Sequence, residues 1–488
     1  MLLGLGFLTK NVNWFQRPLR VFSSSSLHYF HNNLKNNSST SSSSSSSQCD
    51  RDFLPWLRAK SGVEISSVLS IGNSIYGRSL FASDFIQAGD SILKVPFSVH
   101  LTSDNILPEI NSLLSNDVGN VSRLAIVVLI EQRKGQASEW APYITSLPQT
   151  GELHSTIFWS KEELEMIKQS SVYEETISHK AQLEKEYLTL RPALDEFPNF
   201  FKDTTFEDFV HAFILVASRA WGSSKAVSLV PFADFLNHDG DSEAVLLIDE
   251  DKQISEVIAD QDYTPGKQVL ISYGKYPNST LILDFGFTLS YNNCDQVQIQ
   301  MISPQHDPLR NLKLELVHKH SAPLVTDSIS IDPFQNSFII KEVRSSRGKG
   351  KGIPQSLRAF ARILCTDTFE ELKDLELEAV QTDGRLARRP LKNISREIQS
   401  HQLLLSLITH LIQDYDASIK SLKLLRSHCT GGNFALRRQM ALDLLSGELR
   451  ILRSASAWLD NYCSSLSNET AASHYKLSSL DCCLEAFE

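Results

Sequence analysis

The first 49 residues contain no aspartate or glutamate. They hold four Lys/Arg and 13 Ser, so they are near +4, while the remaining 43 basic and 57 acidic residues leave the rest of the chain about -14. An acid-free, Ser-rich, weakly basic leader has the composition of an organelle transit peptide. Residues 1–49 are therefore expected to be a disordered targeting segment. The alternative is a disordered low-complexity tail, because Ser41 to Ser47 has nothing to bury, and the acid-free composition favours targeting over it. Ser richness favours the chloroplast (stroma), whereas Arg17 and Arg20 close to Phe22-Ser23 suit a mitochondrion.

Paired cysteines are also missing. The seven Cys (Cys49, Cys294, Cys365, Cys429, Cys463, Cys482 and Cys483) are odd in number and include no Cys-x-x-Cys. That spacing argues against a structural zinc site or a disulfide framework and for reduced thiols, and no metal is expected. No long apolar run exists either. Leu124 to Ile130 is far too short to span a bilayer, so no membrane role is expected. The net charge of -10 argues against nucleic acid as the main partner. The 42% hydrophobic and 21% charged fractions, over 488 residues, suit a globular protein of two or three domains.

Four stretches differ in pattern. Residues 60–102 alternate short β-rich runs (Val63 to Ile65, Ser79 to Ala82, Ser91 to Val95) with Gly72, Gly77 and Gly89. Residues 103–222 carry a helical beat, clearest in Phe206, Phe209, Val210, Phe213, Ile214 and Ala217, with cap-type residues at 203–207. Residues 226–292 return to strands at Ala244 to Ile248, Ile254 to Ile258 and Gln268 to Tyr273, with a turn at Thr264-Pro265-Gly266. From about 309 helices dominate, with long stripes in Ser400 to Asp414 and Phe434 to Leu466 and a basic, Gly-rich loop from Gly348 to Pro354. No fixed-period repeat is present.

Four clusters carry polar residues at the ends of apolar runs. Leu229-Val230-Pro231-Phe232-Ala233-Asp234-Phe235-Leu236-Asn237-His238 ends abruptly in Asp, Asn and His, types that by themselves are common at strand ends. Gln268 to Gly274 reads as an edge strand ending in Tyr273-Gly274. Ser218-Arg219-Ala220 closes a helix, where an Arg is often merely solvated. Tyr76-Gly77-Arg78 is a tight turn before a strand.

In this order and spacing the clusters resemble the SET-domain methyltransferases. More narrowly, they are similar to the branch typified by the plant Rubisco large-subunit and fructose-bisphosphate aldolase lysine methyltransferases. That branch has a Gly-rich turn before a hydrophobic strand, then Ser-Arg-Ala, Pro-x-Ala-Asp-x-x-Asn-His, Gly-Glu/Lys-x-Val/Leu-x-Ile-x-Tyr-Gly and Leu-x-Tyr-Gly-Phe. Here these are Gly77 to Ala82, Ser218 to Ala220, Pro231 to His238, Gly266 to Gly274 and Leu283 to Phe287.

The resemblance implies an α+β fold, with a pseudo-knotted, β-rich SET domain over 50–292, a helical insertion at about 103–222 and an all-α substrate-binding domain over 309–488. It implies S-adenosylmethionine as cofactor and a protein substrate, held through the helical C-terminal domain by a monomer. Tyr76, Gly77 and Arg78 would approach the cofactor, Arg219 would pair its carboxylate, Asn237 and His238 would hold its amino group and adenine edge, and Phe285 would flank it. Tyr273 would be catalytic, orienting the incoming amine, with Asp234 on the substrate side of the channel. Phe285 stands where the branch commonly has Tyr, which bears on how many methyl groups are accepted. The absence of a cysteine-rich zinc cluster fits a non-histone, organellar substrate. A histidine acceptor, or a non-catalytic SET-fold binding protein, is the alternative.

Overall fold

The computed structural model describes residues 48–74, 77–223, 226–320, 335–345, 348–382, 384–424 and 432–484. Tyr76 and the segment expected to be a targeting leader, apart from residues 48 and 49, lie outside these.

The chain enters through helix α1 (Gln48–Ser61), which the sequence reading did not expect. Pro55 interrupts its pattern, and the helix is fixed instead by aromatic packing, with Phe53 and Leu57 each 1% exposed. The run Val63 to Ile65, expected as a strand, is not one. It follows Gly62, whose φ of +70° turns the chain out of α1, and its one ladder-like bond comes from Lys94 N–H to the Ile65 carbonyl at 2.9 Å. The first strands are β1 (Leu69–Ser74) and β2 (Gly77–Ala82), an antiparallel pair in which Ser74 faces Gly77. Gly77 takes φ of +88°, a conformation that costs a residue with a Cβ.

β3 (Ser91–Pro96) and β4 (Leu101–Thr102) precede a helical block. Its members are α2 (Pro108–Leu113), α3 (Asn120–Lys134), α4 (Ala141–Ser146), α5 (Lys161–Glu165), α6 (Val172–Asp195), α7 (Pro198–Phe201) and α8 (Phe206–Arg219). α8 begins in a capping box: Thr205 Oγ1 accepts from Asp208 N–H at 3.1 Å, and Asp208 Oδ2 accepts from Thr205 N–H at 2.9 Å. Every residue from Phe209 to Val216 is buried, because α3, α6 and residues 281–285 all pack against this helix. Each fully buried Phe, Leu, Ile or Val of this wedge contributes about 1.5–3 kcal/mol. The wedge fixes where α8 ends, and so where Arg219 stands.

Strands then resume as β5 (Trp221–Ser223), β6 (Ala226–Leu229), β7 (Asn237–His238), β8 (Leu246–Asp249), β9 (Ile254–Ile258) and β10 (Leu270–Ile271). They form small sheets in the orders β4-β6-β5 and β3-β9-β8, and β7 pairs with β10 in parallel. The expected strand Gln268 to Tyr273 contracts to two residues, because Val269 N–H and Ala82 N–H turn instead to bonds between this segment and β2. After a short α9 (Asn278–Thr280), residues Leu281–Phe285 make a π-helical turn ending at Gly286, φ +78°. π turns of this kind are frequent at functional sites.

The C-terminal part comprises β11 (Gln296–Ile302), α10 (Arg310–His320), β12 (Gln335–Lys341), α11 (Gln355–Leu364), α12 (Phe369–Val380), α13 (Ile394–Leu424) and α14 (Gly432–Leu484). The architecture is therefore α+β, as expected, with one correction. β12 is a strand inside the region read as helical, and its seven residues pair antiparallel with all seven of β11. α14 lies along α13 and across β11 and β12, and it also meets α5 and α9 of the preceding part.

Candidate functional site

The segment 232–238 is the centre of the site. It opens on Phe232, which is 1% exposed and has φ 74°, ψ -46°. A bulky residue in this γ-turn-like conformation is strained, by roughly 1–3 kcal/mol. Burial of Phe232 beside Phe235, with ring centroids 6.4 Å apart, holds the turn, and the 3₁₀ turn Ala233–Phe235 then carries Asp234 inward.

Asn237 and His238 follow on β7, between β2 and β10. Asn237 Nδ2 donates to Ser79 Oγ at 2.7 Å and to the Arg78 carbonyl at 3.3 Å, leaving the side-chain carbonyl as its remaining polar group. His238 Nδ1 accepts from Tyr273 N–H at 3.0 Å, which puts the ring proton on Nε2. Tyr273 in turn donates its hydroxyl to the Leu236 carbonyl at 2.6 Å. Its ring stacks on His238 at 5.2 Å and lies 5.5 Å from Phe285 and 6.3 Å from Phe287. Tyr273, 6% exposed, is thus pinned through its backbone, hydroxyl and ring at once.

Phe285 is set by a close approach. Gly286 lies so near the 154–155 backbone that a Cβ there would come within 2.6 Å of the Ser155 nitrogen. Ser155 Oγ also donates to the Leu283 carbonyl at 2.5 Å. The loop before α5 therefore clamps the π turn, and only glycine fits.

The third group is charged. Asp234, 7% exposed, accepts a hydrogen bond on Oδ2 from the Tyr143 hydroxyl at 2.9 Å, while its Oδ1 is buried with no hydrogen-bond partner. Burial pushes its carboxyl up to about 6, against the opposing pull of Arg219, the Tyr143 bond and Arg78. Burial also raises the Tyr143 hydroxyl far above its usual range, and the Asp234 charge adds to that. Arg219 is half-buried at the end of α8, donates to Ser218 Oγ at 3.2 Å, and has no carboxylate within 4 Å among the described residues. Arg78 donates to the Ser146 carbonyl and lays its guanidinium 5.1 Å from the Phe235 ring.

The structure brings Gly77, Arg78, Arg219, Asp234, Asn237, His238, Tyr273 and Phe285 into one connected neighbourhood, from segments more than 200 residues apart. Tyr143, Ser79 and Ser155 also belong to it and were not expected. Tyr143 is caged by Phe53, Trp56 and Trp140. Only its place in the aromatic run 140–143 hints at burial, and nothing there points to Asp234. A cavity of about 440 Å³ opens elsewhere, among α3, α4, α7 and α8, and none of its lining residues belongs to this cluster. Shape alone would not locate the site. Among the described residues no group of three His, Cys, Asp or Glu could hold a metal ion, and no helix is long and apolar enough to cross a membrane.

Comparison with known proteins accounts for this arrangement. Residues 77–274 match the SET domain model, and residues 304–452 match the model described as Rubisco LSMT substrate-binding. The chain contains a SET domain. The SET domain thus begins at the β2 turn and ends at the Tyr273-Gly274 pair, so it contains every cluster residue but Phe285 and the unplaced Tyr76. Solved structures of similar fold include Rubisco LSMT bound to AdoMet, with TM-score 0.66 and 22% identity over 86% of this chain and 94% of that one. Rubisco LSMT with sinefungin and monomethyllysine gives a TM-score of 0.67 at 21% identity, over 86% and 94%. Similar curated proteins include the Homo sapiens actin-histidine N-methyltransferase, 25% identical over 83% of this chain and 67% of that protein. The chloroplastic fructose-bisphosphate aldolase-lysine N-methyltransferase of Arabidopsis thaliana is 27% identical over 55% of this chain and 58% of that protein.

Proposed function

We propose that this protein is an S-adenosylmethionine-dependent protein N-methyltransferase that modifies a lysine of a non-histone, organellar protein. The observation that carries the reading is Tyr273, a buried phenol fixed at three points where β7 meets β10, in a cluster whose half-buried Arg219 has no carboxylate ion pair among the described residues. A guanidinium in that state suits the carboxylate end of an amino-acid ligand, which it can meet with paired N–H donors. The Asn237 side-chain carbonyl and the Gly77-Arg78 turn supply acceptors for the ammonium end, and His238, Phe285 and Phe287 supply ring surfaces for an adenine. Tyr76 is proposed to approach the same ligand.

S-adenosylmethionine supplies a methyl group already activated on a sulfonium. What remains for the chain is to bring in a neutral amine in line with it, so positioning is most of the catalysis. Neutralising a lysine of reference pKa about 10.4 near pH 8 costs roughly 3 kcal/mol, and an aromatic-walled channel lowers that cost by disfavouring the ammonium. Tyr273 is the group proposed to orient the amine, with Asp234 on the substrate side. The substrate-binding domain match supports a protein substrate, held through the C-terminal helices by a monomeric enzyme. The acid-free leader and the chloroplastic relative support a plastid stroma over a mitochondrion.

A histidine acceptor is the second reading. It is favoured by one observation: the actin-histidine relatives align over 83% of this chain, against 55% for the aldolase-lysine relative. Calorimetry on residues 48–488 is expected to show S-adenosylmethionine binding that Asn237→Ala abolishes and Tyr273→Phe leaves nearly intact. Radiolabelled methyl transfer into organelle extract is expected to drop at least tenfold in Tyr273→Phe. Absence of binding by the unmutated protein overturns the proposal, and mass spectrometry of the labelled residue decides between lysine and histidine.

A further inference from the structure

Where α14 crosses the helical block of the SET domain it buries a carboxyl that has no ion pair among the described residues. Glu448 is 2% exposed. Its Oε1 accepts from Ser170 Oγ at 2.8 Å, and its Oε2 lies 2.9 Å from the Tyr415 hydroxyl oxygen. The same Tyr415 oxygen lies 2.9 Å from the Gln169 carbonyl. Gln169 and Ser170 precede α6, Tyr415 is on α13, and Glu448 is on α14, so this small network joins the SET domain to the substrate-binding domain.

Counting protons decides its state. A phenol has one hydrogen, and a backbone carbonyl has none. Two 2.9 Å contacts to Tyr415 Oη can both be hydrogen bonds only if one partner donates to it. Glu448 is the only candidate, so it carries a proton on Oε2, gives it to Tyr415, and Tyr415 gives its own to the Gln169 carbonyl. Every group is then satisfied. With Glu448 ionised, the phenol serves only one of the two, and a buried oxygen contact becomes lone pair against lone pair.

The surroundings favour the proton. Burial is the main cause, and the negative charges of Asp295 and Glu175 add to it, pushing the Glu448 carboxyl up to about 8 despite the Ser170 and Tyr415 bonds. Asp295, itself pushed up to about 6 by burial, packs against Gly447, the neighbour of Glu448. The nearby cation, Arg450, is spent on Asp295 at 3.3 Å and Glu342 at 2.7 Å. On α13, Asp416 is held by Arg453 at 2.8 Å, and on α6, Glu175 accepts from Ser171.

We propose that the protonated Glu448 carboxyl is a latch that fastens the substrate-binding domain to the SET domain, and that loss of its proton near neutral pH loosens the joint. The latch lies close to the cofactor-side turn as well. Asp295 Oδ1 accepts from Asn278 N–H at 3.0 Å, and Asn278 starts the short helix that leads into the π turn bearing Phe285.

The sign follows from linkage. Glu448 holds its proton in the docked state up to about pH 8, whereas a solvated Glu releases it near 4.5, so opening the joint releases one proton between those values. The opening equilibrium therefore rises tenfold per pH unit from about 6 to 8 and levels off above. Asp295, at about 6, is half ionised at the acid end of that window and almost fully ionised above pH 7, so it adds slope only near pH 6.

Hydrogen exchange of the full chain tests this. Amides of residues 170–176 are expected to exchange with a log rate against pH of slope two between pH 6 and 8, one from base catalysis and one from opening, falling to one above pH 8. In Glu448→Gln the slope is expected to be one throughout. The infrared spectrum is expected to show a carboxylic-acid C=O band that titrates near pH 8 and is missing from this variant. Should Glu448→Gln not fold, Tyr415→Phe is read instead, with protection at pH 6.5 expected to drop to the level of the unmutated protein at pH 9. A slope of one in the unmutated protein, or no loss of protection in Tyr415→Phe, overturns the proposal. None of these readouts depends on methyl transfer.

Discussion

Replacing Tyr143 by Phe removes one hydroxyl from the site and leaves its aromatic cage filled. In the native protein that hydroxyl donates to Asp234 Oδ2 at 2.9 Å, inside a pocket where Oδ1 has no hydrogen-bond partner. A buried hydrogen bond to a charged group is worth about 1.5–3 kcal/mol, which corresponds to roughly one to two pH units. The Asp234 carboxyl already stands at about 6, raised by burial and held from rising further by Arg219 and by this bond. Without the bond its ionisation moves upward by at least roughly one pH unit, to near neutrality or above. Below that midpoint Asp234 is neutral and its attraction for Arg219 is lost. The assay is kcat/KM for methyl transfer from pH 5 to 9. The acid limb of the unmutated enzyme is expected near 6 and that of Tyr143→Phe about one unit or more higher, with similar rates at pH 9. A purely structural Tyr143 would lower the whole curve and leave the limb where it was. An unmoved limb refutes the argument that Tyr143 tunes Asp234.

Two further outcomes follow from packing. Phe285→Tyr places a hydroxyl beside Tyr273 and Tyr276, whose rings lie 5.5 and 5.7 Å from that of Phe285. It leaves less room around a methylated amine, so the products should shift toward monomethyl; an identical distribution by intact mass would make the position neutral for product choice. In the C-terminal domain, Glu397 and Arg362 form a fully buried pair at 2.5 Å, and Glu397 also accepts from Tyr462 at 2.9 Å. Glu397→Ala strands the guanidinium and should cost about 3–5 kcal/mol in denaturant unfolding, against an expected loss of under half that for exposed Arg58 paired with Glu64. A cost below 1 kcal/mol would mean that the helices repack around Arg362.

How far the site could be read from residues alone depended on the range of each interaction. The capping box at Thr205, the helix end at Arg219 and the positive-φ turn at Gly77 are local, and their residue types state their conformations. Strand β10 is different. It was expected over Gln268 to Tyr273, but only two residues pair, with β7 33 residues away, and the residue types do not say where a long-range pairing stops. Val63 to Ile65 shows the converse, since β-branched residues there make only the single bond from Lys94 of β3 and stay irregular. β12 was hidden for a related reason: its apolar residues Phe338, Ile339 and Ile340 are consecutive and show no alternation, its partner β11 lies before α10, and helical stripes on both sides dominated the reading. The charged residues of the C-terminal domain were the hardest. Arg358 and Arg362 are one turn apart on α11, as are Glu397 and His401 on α13, a spacing that usually marks a solvated helix face. Here the two faces are turned toward each other, with Arg358 Nε donating to His401 Nε2 at 3.1 Å and all four residues under 9% exposed. Periodicity says which residues share a face. It does not say whether that face meets water or another helix, and for Arg362 and Glu397 that difference separates a pair worth almost nothing from one whose breakage should cost about 3–5 kcal/mol.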